Sequence, residues 1–314
     1  PPNQDALMKK AIYAQRGPVP QEFIEAIESE QPTLTSGQVL IQVLAAPINP
    51  SDVLTLTGLY GMLPPLPAVG GNEGVGKVVQ LGPDVTRPAI GQTVLLPVGS
   101  GTWATHVVAD AKKLMPLPNE ADPQQLAMLT VNPPTAALML SEFVDLKPGD
   151  WVIQNAANSG VGAYLIQLAK LRGFKTVNIV RRESAVAGVL ANGADVVLVE
   201  GSGLAKRVAE ATGGAAIRLG IDAVGGKSTD QLATCLAAGG TLVNYGMMSG
   251  EPCQISPASF VFRNITLRGF WLAFWFRNAT PQQQAATFGS IAKLIAEGKL
   301  HTAIHARYGL SQIK

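Results

Sequence analysis

Residues Gln154 to Gly162 read QNAANSGVG, and this stretch decides the fold of the chain. It stands between the apolar run Trp151 to Ile153 and a segment of helical pattern, Ala163 to Leu171. A turn of small residues that ends a buried strand and opens a helix lets backbone N–H groups approach a phosphate at the positive end of the helix. The stretch therefore predicts a dinucleotide-binding turn.

The glycine pattern of this turn is incomplete. A full GxGxxG uses its first glycine for the tight turn, its second for close approach of the pyrophosphate and its third for packing of the helix on the strand. The corresponding residues here are Ala157, Ser159 and Gly162, so only the third is glycine. Asn158 and Gly160 add a side-chain donor and flexibility at the phosphate end, and a plain strand–helix turn is the alternative.

Two arginines follow the next predicted strand. About twenty residues beyond the turn, an NAD site usually carries an acid that binds the ribose 2′-hydroxyl, whereas this chain has Arg181 and Arg182. Guanidinium groups suit a 2′-phosphate, which they bind through charge-assisted, bidentate hydrogen bonds. NADPH is therefore the predicted cofactor. Two solvated arginines are the alternative, and Glu183 offers the acceptor that NAD would need.

The pattern along the 314 residues predicts an α/β protein of two domains and a final segment. Residues 1–124 carry short alternating runs separated by Pro/Gly turns, typical of a small β-barrel. Residues 125–266 alternate strands and helices, as in a doubly wound parallel sheet. Residues 267–314 form an aromatic-rich segment and a return to the first domain. The predicted strands of the second domain are Trp151–Gln154, Thr176–Val180, Val196–Val199, Leu219–Ala223 and Thr241–Tyr245, and its helices are 161–172, 183–192, 203–212 and Thr229–Ala237, followed by Pro281–Glu297.

The composition and charge of the chain limit which kinds of molecule it can bind and where it can be located. Apolar residues make up 47% of the chain and charged residues 15%, which is typical of a globular protein. The net charge of +2 gives no basic field for nucleic acid or an anionic membrane, and no apolar run reaches the length of a membrane span. Two cysteines, Cys235 and Cys253, form no disulfide framework, so a reducing compartment, the cytoplasm, is expected. The chain begins without Met, so import into an organelle stays open.

Several blocks in the chain resemble one family when they are taken together and in order. The chain is similar to the zinc-free medium-chain dehydrogenase/reductase superfamily, and within it to the 2-enoyl thioester reductases that include the mitochondrial enoyl-CoA/ACP reductases. Quinone oxidoreductases are a related branch. The resemblance implies a GroES-like β-barrel catalytic domain and a Rossmann cofactor domain. The blocks are NPSD at Asn49–Asp52, LPPLPAVGGNEGVGKVV at Leu63–Val79, Val131-Asn132-Pro133, the QNAANSGVG turn and LRGFWL at Leu267–Leu272.

No metal site is expected. Zinc alcohol dehydrogenases of this superfamily hold a catalytic zinc with Cys and His from two loops, which here read Asn49-Pro50-Ser51-Asp52 and Gly71-Asn72-Glu73. Residues 1–234 contain no cysteine, which excludes a structural four-Cys zinc site. The histidines are isolated along the sequence, at His106, His301 and His305.

The resemblance implies NADPH-dependent reduction of a trans-2-enoyl thioester, with Tyr60 at the position of the family's catalytic tyrosine. Hydride delivered to Cβ leaves an enolate, which needs a hydrogen bond and then a proton. A phenol is protonated at neutral pH and is therefore a donor. Tyr60 lies in a Gly/Pro-rich loop, where a structural role is the alternative.

The resemblance also implies which residues surround the ligands. Asn49 and Trp275 would lie near the substrate. For the aromatic run Phe270 to Phe276, the alternative to an acyl-chain slot is a buried strand or a dimer seam, because strand side chains alternate between faces. The residues implied around the cofactor are Asn132, Asn158, Ser159, Gly160, Val161, Arg181, Arg182, Tyr245, Gly246, Met247, Met248, Phe270, Trp271 and Leu272.

Two other functions stay open at this point. A quinone reductase would share the cofactor but need no dedicated proton donor, and an NADPH-binding protein without turnover would share only the fold. The expected partners are a small-molecule substrate (an enoyl thioester or a quinone), an acyl carrier protein and a second copy of the chain. The family's C-terminal lysine segment is not recognisable before Lys314, so the catalytic domain is expected to be incomplete there.

Overall fold

Residues 7–314 are described by a computed structural model, and they divide into two units. Unit 1 comprises the chain up to Thr130 together with Ala292–Gly298 and Ala303–Lys314. Unit 2 comprises Val131–Ile291 and Lys299–Thr302. Residues 267–291, which the sequence pattern groups with the end of the chain, contribute to unit 2.

Unit 1 is built on two antiparallel sheets, as the alternating runs predict. Its strands are β1 (Met8–Tyr13), β2 (Ile24–Ser29), β3 (Gln38–Ala45), β4 (Ala68–Val69), β5 (Val75–Leu81), β6 (Thr93–Leu95), β7 (His106–Asp110) and β8 (Met115–Pro116), and its helices are α1 (Pro50–Thr57) and α2 (Pro123–Leu126). The sheet orders are β2-β1-β4 and β7-β3-β5-β6-β8. Val39, Ile41, Val78 and Val94 are fully buried in one apolar cluster of the larger sheet.

Unit 2 is a parallel sheet with helices in its crossovers, which confirms the doubly wound prediction. Its strands are β9 (Trp151–Gln154), β10 (Lys175–Val180), β11 (Val196–Val199), β12 (Ile217–Asp222), β13 (Thr241–Asn244) and β14 (Thr266–Gly269). They lie in the order β11-β10-β9-β12-β13-β14, and every neighbouring pair is parallel. Its helices are α3 (Asn132–Ser141), α4 (Gly160–Leu171), α5 (Val186–Ala191), α6 (Leu204–Thr212), α7 (Gly226–Cys235), α8 (Pro257–Phe260), α9 (Leu272–Asn278) and α10 (Pro281–Ala296), whose last residues from Ala292 belong to unit 1.

The aromatic segment is helical, so the alternation expected of a strand is wrong here. Phe274, Trp275 and Phe276 lie on α9, which begins with Leu272 and contains no Gly or Pro. Leu and Ala favour a helix, whereas aromatic residues alone do not separate helix from strand. Phe276 stacks on Phe288 of α10 with the ring centroids 5.2 Å apart.

The turn between β9 and α4 differs in one detail from the predicted glycine pattern. The left-handed residue is Ala156 (φ 45°) rather than Ala157, which is fully buried. Gly162 has the predicted packing role, because a Cβ built on it would lie 2.5 Å from the Ala157 carbonyl oxygen and 2.9 Å from that of Ala156. The helix and the turn can approach this closely only without a side chain at residue 162.

We expect Gly162→Ala to lower the free energy of unfolding of unit 2 by about 1–3 kcal/mol, because the added methyl group overlaps backbone. Gly188→Ala is the matched control, since Gly188 lies exposed in α5 with nothing within 4 Å of its built Cβ. There the methyl group should stabilise the helix, by up to roughly 1 kcal/mol. Denaturant unfolding of the two variants measures both effects, and equal stability would contradict the packing role.

Candidate functional site

Four groups of predicted cofactor residues follow the carboxyl ends of strands in unit 2. Residues 158–161 follow β9, Arg181–Arg182 follow β10, Tyr245–Met248 follow β13 and Phe270–Leu272 follow β14. Because all these strands are parallel, their carboxyl ends meet at one edge of the sheet. β9 has β10 on one side and β12 on the other, so the strand order reverses beside this turn. Ligands of open α/β sheets bind at such switch points.

The N-terminus of α4 is shaped for an anion. The side chain of Ser159 caps the helix by accepting a hydrogen bond from the Gly162 N–H (3.1 Å), while the first N–H groups of the helix have no partner within it. A Cβ on Gly160 would lie 2.7 Å from Nδ2 of Asn132, the first residue of α3. Glycine at 160 therefore leaves room for this amide beside the helix end, and the arrangement fits a pyrophosphate.

Tyr245 contacts the same turn. A hydrogen bond joins its hydroxyl group to Ser159, and burial raises the pKa of Tyr245 to about 12. The next residue, Gly246, lies against β12, because a Cβ there would be 2.6 Å from the Ala223 carbonyl oxygen. Met247 and Met248 are exposed by 63% and 66%. The loop after β13 is thus fixed at the turn and presents two flexible apolar side chains.

A buried carboxylate that the sequence did not reveal holds this edge together. Asp222, at the end of β12, is fully buried and accepts hydrogen bonds from Asn155 Nδ2 (2.8 Å), Thr229 Oγ1 (2.6 Å) and Asn244 Nδ2 (3.0 Å). Burial by itself would raise the pKa of Asp222, but the hydrogen bonds from the Asn155 and Thr229 side chains and from the backbone N–H groups of Gly225 and Val224 outweigh it and lower the pKa. The ionised group joins the ends of β9, β12 and β13. The available signal was an Asp within the apolar run that predicts the strand Leu219–Ala223.

The two arginines after β10 are exposed and cationic. Arg181 Nε lies 3.7 Å from Oε1 of Glu200, which follows β11, and the Arg181 side chain is 80% exposed. Arg182 precedes the short 3-10 helix Glu183–Ala185. Both guanidinium groups thus stand at the edge where the other predicted cofactor residues lie.

In unit 1, the two loops that the sequence compares with zinc-binding loops bind each other. Asn49 is 5% exposed, and its N–H donates to Asp52 Oδ2 (2.7 Å). The Asn72 N–H donates to Asp52 Oδ1 (3.0 Å). The Asn49 amide donates through Nδ2 to Oε2 of Glu73, and the Thr130 N–H donates to Oε1 of Glu73 (3.2 Å).

The Asp52 and Glu73 carboxylates hold these loops together, since each of their four oxygens accepts an N–H of the protein. Within residues 7–314, no group of three or more His, Cys, Asp and Glu side chains is arranged to hold a metal. In the same part of the chain, no helix has the length and apolar character needed to cross a bilayer.

Tyr60 lies three residues beyond α1, which ends with a left-handed Gly58 (φ 85°). The N–H groups of Leu59 and Tyr60 donate to the Leu54 carbonyl oxygen (2.9 and 3.2 Å), so the helix end fixes the start of the loop. Tyr60 is partly buried, and residues 61–67 after it are exposed. Asn49 is the N-cap residue at the other end of this eight-residue helix. Trp275 lies on α9 of unit 2.

Known proteins resemble this chain along nearly its whole length. Residues 35–119 match the alcohol dehydrogenase GroES-like domain, and residues 160–287 match the zinc-binding dehydrogenase family. The mitochondrial enoyl-[acyl-carrier-protein] reductase of Rattus norvegicus is 39% identical over 93% of this chain and 80% of that protein. Its Homo sapiens counterpart is 38% identical over 95% of this chain and 81% of that protein.

Solved structures agree with this similarity. The mitochondrial 2-enoyl thioester reductase Etr1p/Etr2p heterodimer from Candida tropicalis aligns with a TM-score of 0.86 and 30% identity, over 95% of this chain and 91% of that one. A complex of Etr1p with NADP and crotonyl-CoA aligns with a TM-score of 0.87 and 29% identity, over 95% of this chain and 90% of that one. A mycobacterial quinone oxidoreductase aligns with a TM-score of 0.83 and 27% identity, over 97% of this chain and 93% of that one. The predicted fold, a GroES-like domain joined to a Rossmann domain, is confirmed.

The Asp52 carboxyl group should make the stability of unit 1 depend on pH. Burial raises its pKa to about 6, against the lowering effect of the Asn49 and Asn72 N–H groups, while the unfolded chain titrates near ~3.9. Between these values the folded state binds more protons than the unfolded state. The Asp52 contribution to the free energy of unfolding therefore falls as pH rises from 4 to 6, by about 1.4 kcal/mol per unit of pKa shift.

Denaturant unfolding of the wild type and of Asp52→Asn from pH 4 to pH 8 measures this slope, with Glu120→Gln as the control for loss of one exposed charge. The stability difference, wild type minus Asp52→Asn, should decrease as pH rises through the window. A constant or increasing difference would show that Asp52 is ionised at little cost.

Proposed function

Because the chain belongs to the family of the mitochondrial enoyl-[acyl-carrier-protein] reductases, we propose that it reduces trans-2-enoyl thioesters with NADPH. The observation that carries this proposal is the similarity to reductases of that name over more than nine-tenths of the chain. The related Etr1p structure contains both NADP and crotonyl-CoA, an enoyl thioester. No step of the proposed reaction uses a metal.

NADPH is the cofactor, and when bound it supplies a hydride. We assign its pyrophosphate to the N-terminus of α4, where Gly160 leaves space and the Val161 N–H belongs to the first turn, which has no acceptor for it within the helix. Arg181 and Arg182 bind the 2′-phosphate. Asn132, the loop Tyr245–Met248 and residues Phe270–Leu272 flank the rest of the cofactor.

The reaction needs one hydrogen-bond donor or general acid from the protein. Hydride adds to Cβ, the two electrons of the C=C bond move to Cα and the thioester oxygen, and a proton then adds to Cα to give the saturated thioester. We assign Tyr60 to hydrogen-bond the enolate oxygen or to donate this proton. Asn49 and Trp275 lie near the substrate in this proposal. Glu73 accepts a hydrogen bond from Nδ2 of Asn49 and so fixes the orientation of this amide.

Reduction of a quinone is the second candidate. The similarity to a mycobacterial quinone oxidoreductase favours it. A quinone accepts the hydride directly and its products exchange protons with water, so no dedicated protein acid is required. Dependence on Tyr60 therefore separates the two substrates.

The proposal extends to the binding partners of the protein and to its location in the cell. An acyl carrier protein is the proposed carrier of the substrate, since the relatives are named for it. A homodimer is supported by the open edge of β14 and by exposed Phe260, Val261 and Phe262 (50%, 68% and 83%), which precede it. The Candida relative is itself a heterodimer. The relatives are mitochondrial, so a location in an organelle is favoured over the cytoplasm.

Tyr60→Phe should lower kcat for NADPH-dependent reduction of crotonyl-CoA by about 10²- to 10⁴-fold, as expected for a lost acid. The benzoquinone rate should not change. Tyr308→Phe is the matched control, because Tyr308 is an exposed tyrosine of the same unit. Equal crotonyl-CoA rates for Tyr60→Phe and the wild type would remove Tyr60 from the mechanism.

Changing Arg181 and Arg182 together to Ala should reduce the preference for NADPH over NADH, taken as the ratio of kcat/KM values, by about ten- to a hundredfold. Each guanidinium contributes a charged hydrogen bond to the phosphate that NADH lacks. Replacing Lys112 and Lys113, an exposed pair in unit 1, with Ala controls for the lost charge. An unchanged ratio would place the 2′-phosphate elsewhere.

A further inference from the structure

Arg181 already has an anionic neighbour in this structure. Its Nε lies 3.7 Å from Oε1 of Glu200, with the two side chains 80% and 39% exposed. An exposed ion pair at this separation is weak, because water screens it and both side chains lose freedom to maintain it. A stronger anion can therefore displace the carboxylate.

The position of Glu200 is set by the fold and not by the ion pair. Its N–H donates to the Val180 carbonyl oxygen (2.8 Å), which continues the parallel pairing of β10 and β11 directly beside Arg181. On the other side, Arg207 of α6 donates to the carbonyl oxygens of Val199 (2.8 Å) and Ser202 (3.3 Å). The backbone of Glu200 consequently stays beside Arg181 whether or not the two side chains are paired.

A phosphate monoester competes well for this arginine. It carries close to two negative charges and three acceptor oxygens, whereas Glu200 offers one charge. A ribose 2′-hydroxyl carries no charge and cannot displace the carboxylate. Arg181 can thus leave the Glu200 carboxylate for a nucleotide that carries a 2′-phosphate, but not for one with a free 2′-hydroxyl.

We propose that Glu200 is a specificity-determining residue that competes with the 2′-phosphate of NADPH for Arg181. This proposal rests on the assignment of Arg181 to the 2′-phosphate. In the free protein Glu200 holds Arg181, and binding of a 2′-phosphorylated nucleotide breaks that ion pair. Glu200 therefore weakens the binding of NADPH and leaves the binding of nucleotides without the 2′-phosphate unchanged.

The test is calorimetric titration of the full chain with 2′,5′-ADP and with ADP, which needs no enoyl substrate. Glu200→Gln should bind 2′,5′-ADP about two- to tenfold more tightly than the wild type, and ADP with the same affinity. The gain should disappear when Arg181 is also changed to Ala. Glu210→Gln, an exposed acid on α6, removes the same charge elsewhere in unit 2 and should change neither affinity.

Unchanged or weaker binding of 2′,5′-ADP by Glu200→Gln would overturn the proposal, as would a gain that persists without Arg181, since Glu200 would then act on the phosphate directly. Arg181→Ala alone identifies which assignment has failed. If that variant binds 2′,5′-ADP as tightly as the wild type, the cofactor assignment of Arg181 is wrong. If it binds more weakly while Glu200→Gln shows no gain, only the competition is wrong.

Discussion

The hydrogen-bonded carboxylate of Asp222 is the interaction on which the carboxyl edge of the unit 2 sheet depends. It accepts hydrogen bonds from Asn155 in the turn after β9 and from Asn244 at the end of β13, so two separate strand ends share one acceptor. Tyr245 follows Asn244 and is hydrogen-bonded to Ser159, which caps α4. A continuous polar chain therefore fixes the helix N-terminus relative to the β13 loop. Loss of the carboxylate would remove the acceptor of the buried Asn155 amide and Thr229 hydroxyl, and an unsatisfied buried donor costs more than the bond itself contributes.

Unit 1 uses carboxylates in a comparable way, with a different electrostatic result. Asp52 and Asp222 are both buried, at 3% and 0% exposure, yet the pKa of Asp52 is raised and that of Asp222 is lowered. The difference follows from the donors: two backbone N–H groups face Asp52, while three side chains and two backbone N–H groups face Asp222. Burial dominates where donors are few, and hydrogen bonding dominates where they are many.

Local pattern was enough to predict the architecture, including the strand that precedes Arg181 and Arg182. β9 and β11 have the predicted bounds, because apolar runs between turn residues leave little ambiguity. The helix α9 was not predictable, since aromatic residues occur in helices as well as in strands. The Asp222 network and the Arg181–Glu200 pair were also missed. Asn155 and Asp222 are 67 residues apart, and only the order of the strands brings them together.

Transfer of hydrogen from the cofactor to an enoyl thioester tests the central claim most directly. The protein would be incubated with crotonyl-CoA and NADPH that carries deuterium in place of both hydrogens at C4 of the nicotinamide, and the product would be analysed by NMR and mass spectrometry. We expect butyryl-CoA with deuterium at C3, and in deuterated water a second deuterium at C2. Recovery of unchanged crotonyl-CoA under conditions where a quinone oxidises the cofactor would contradict it.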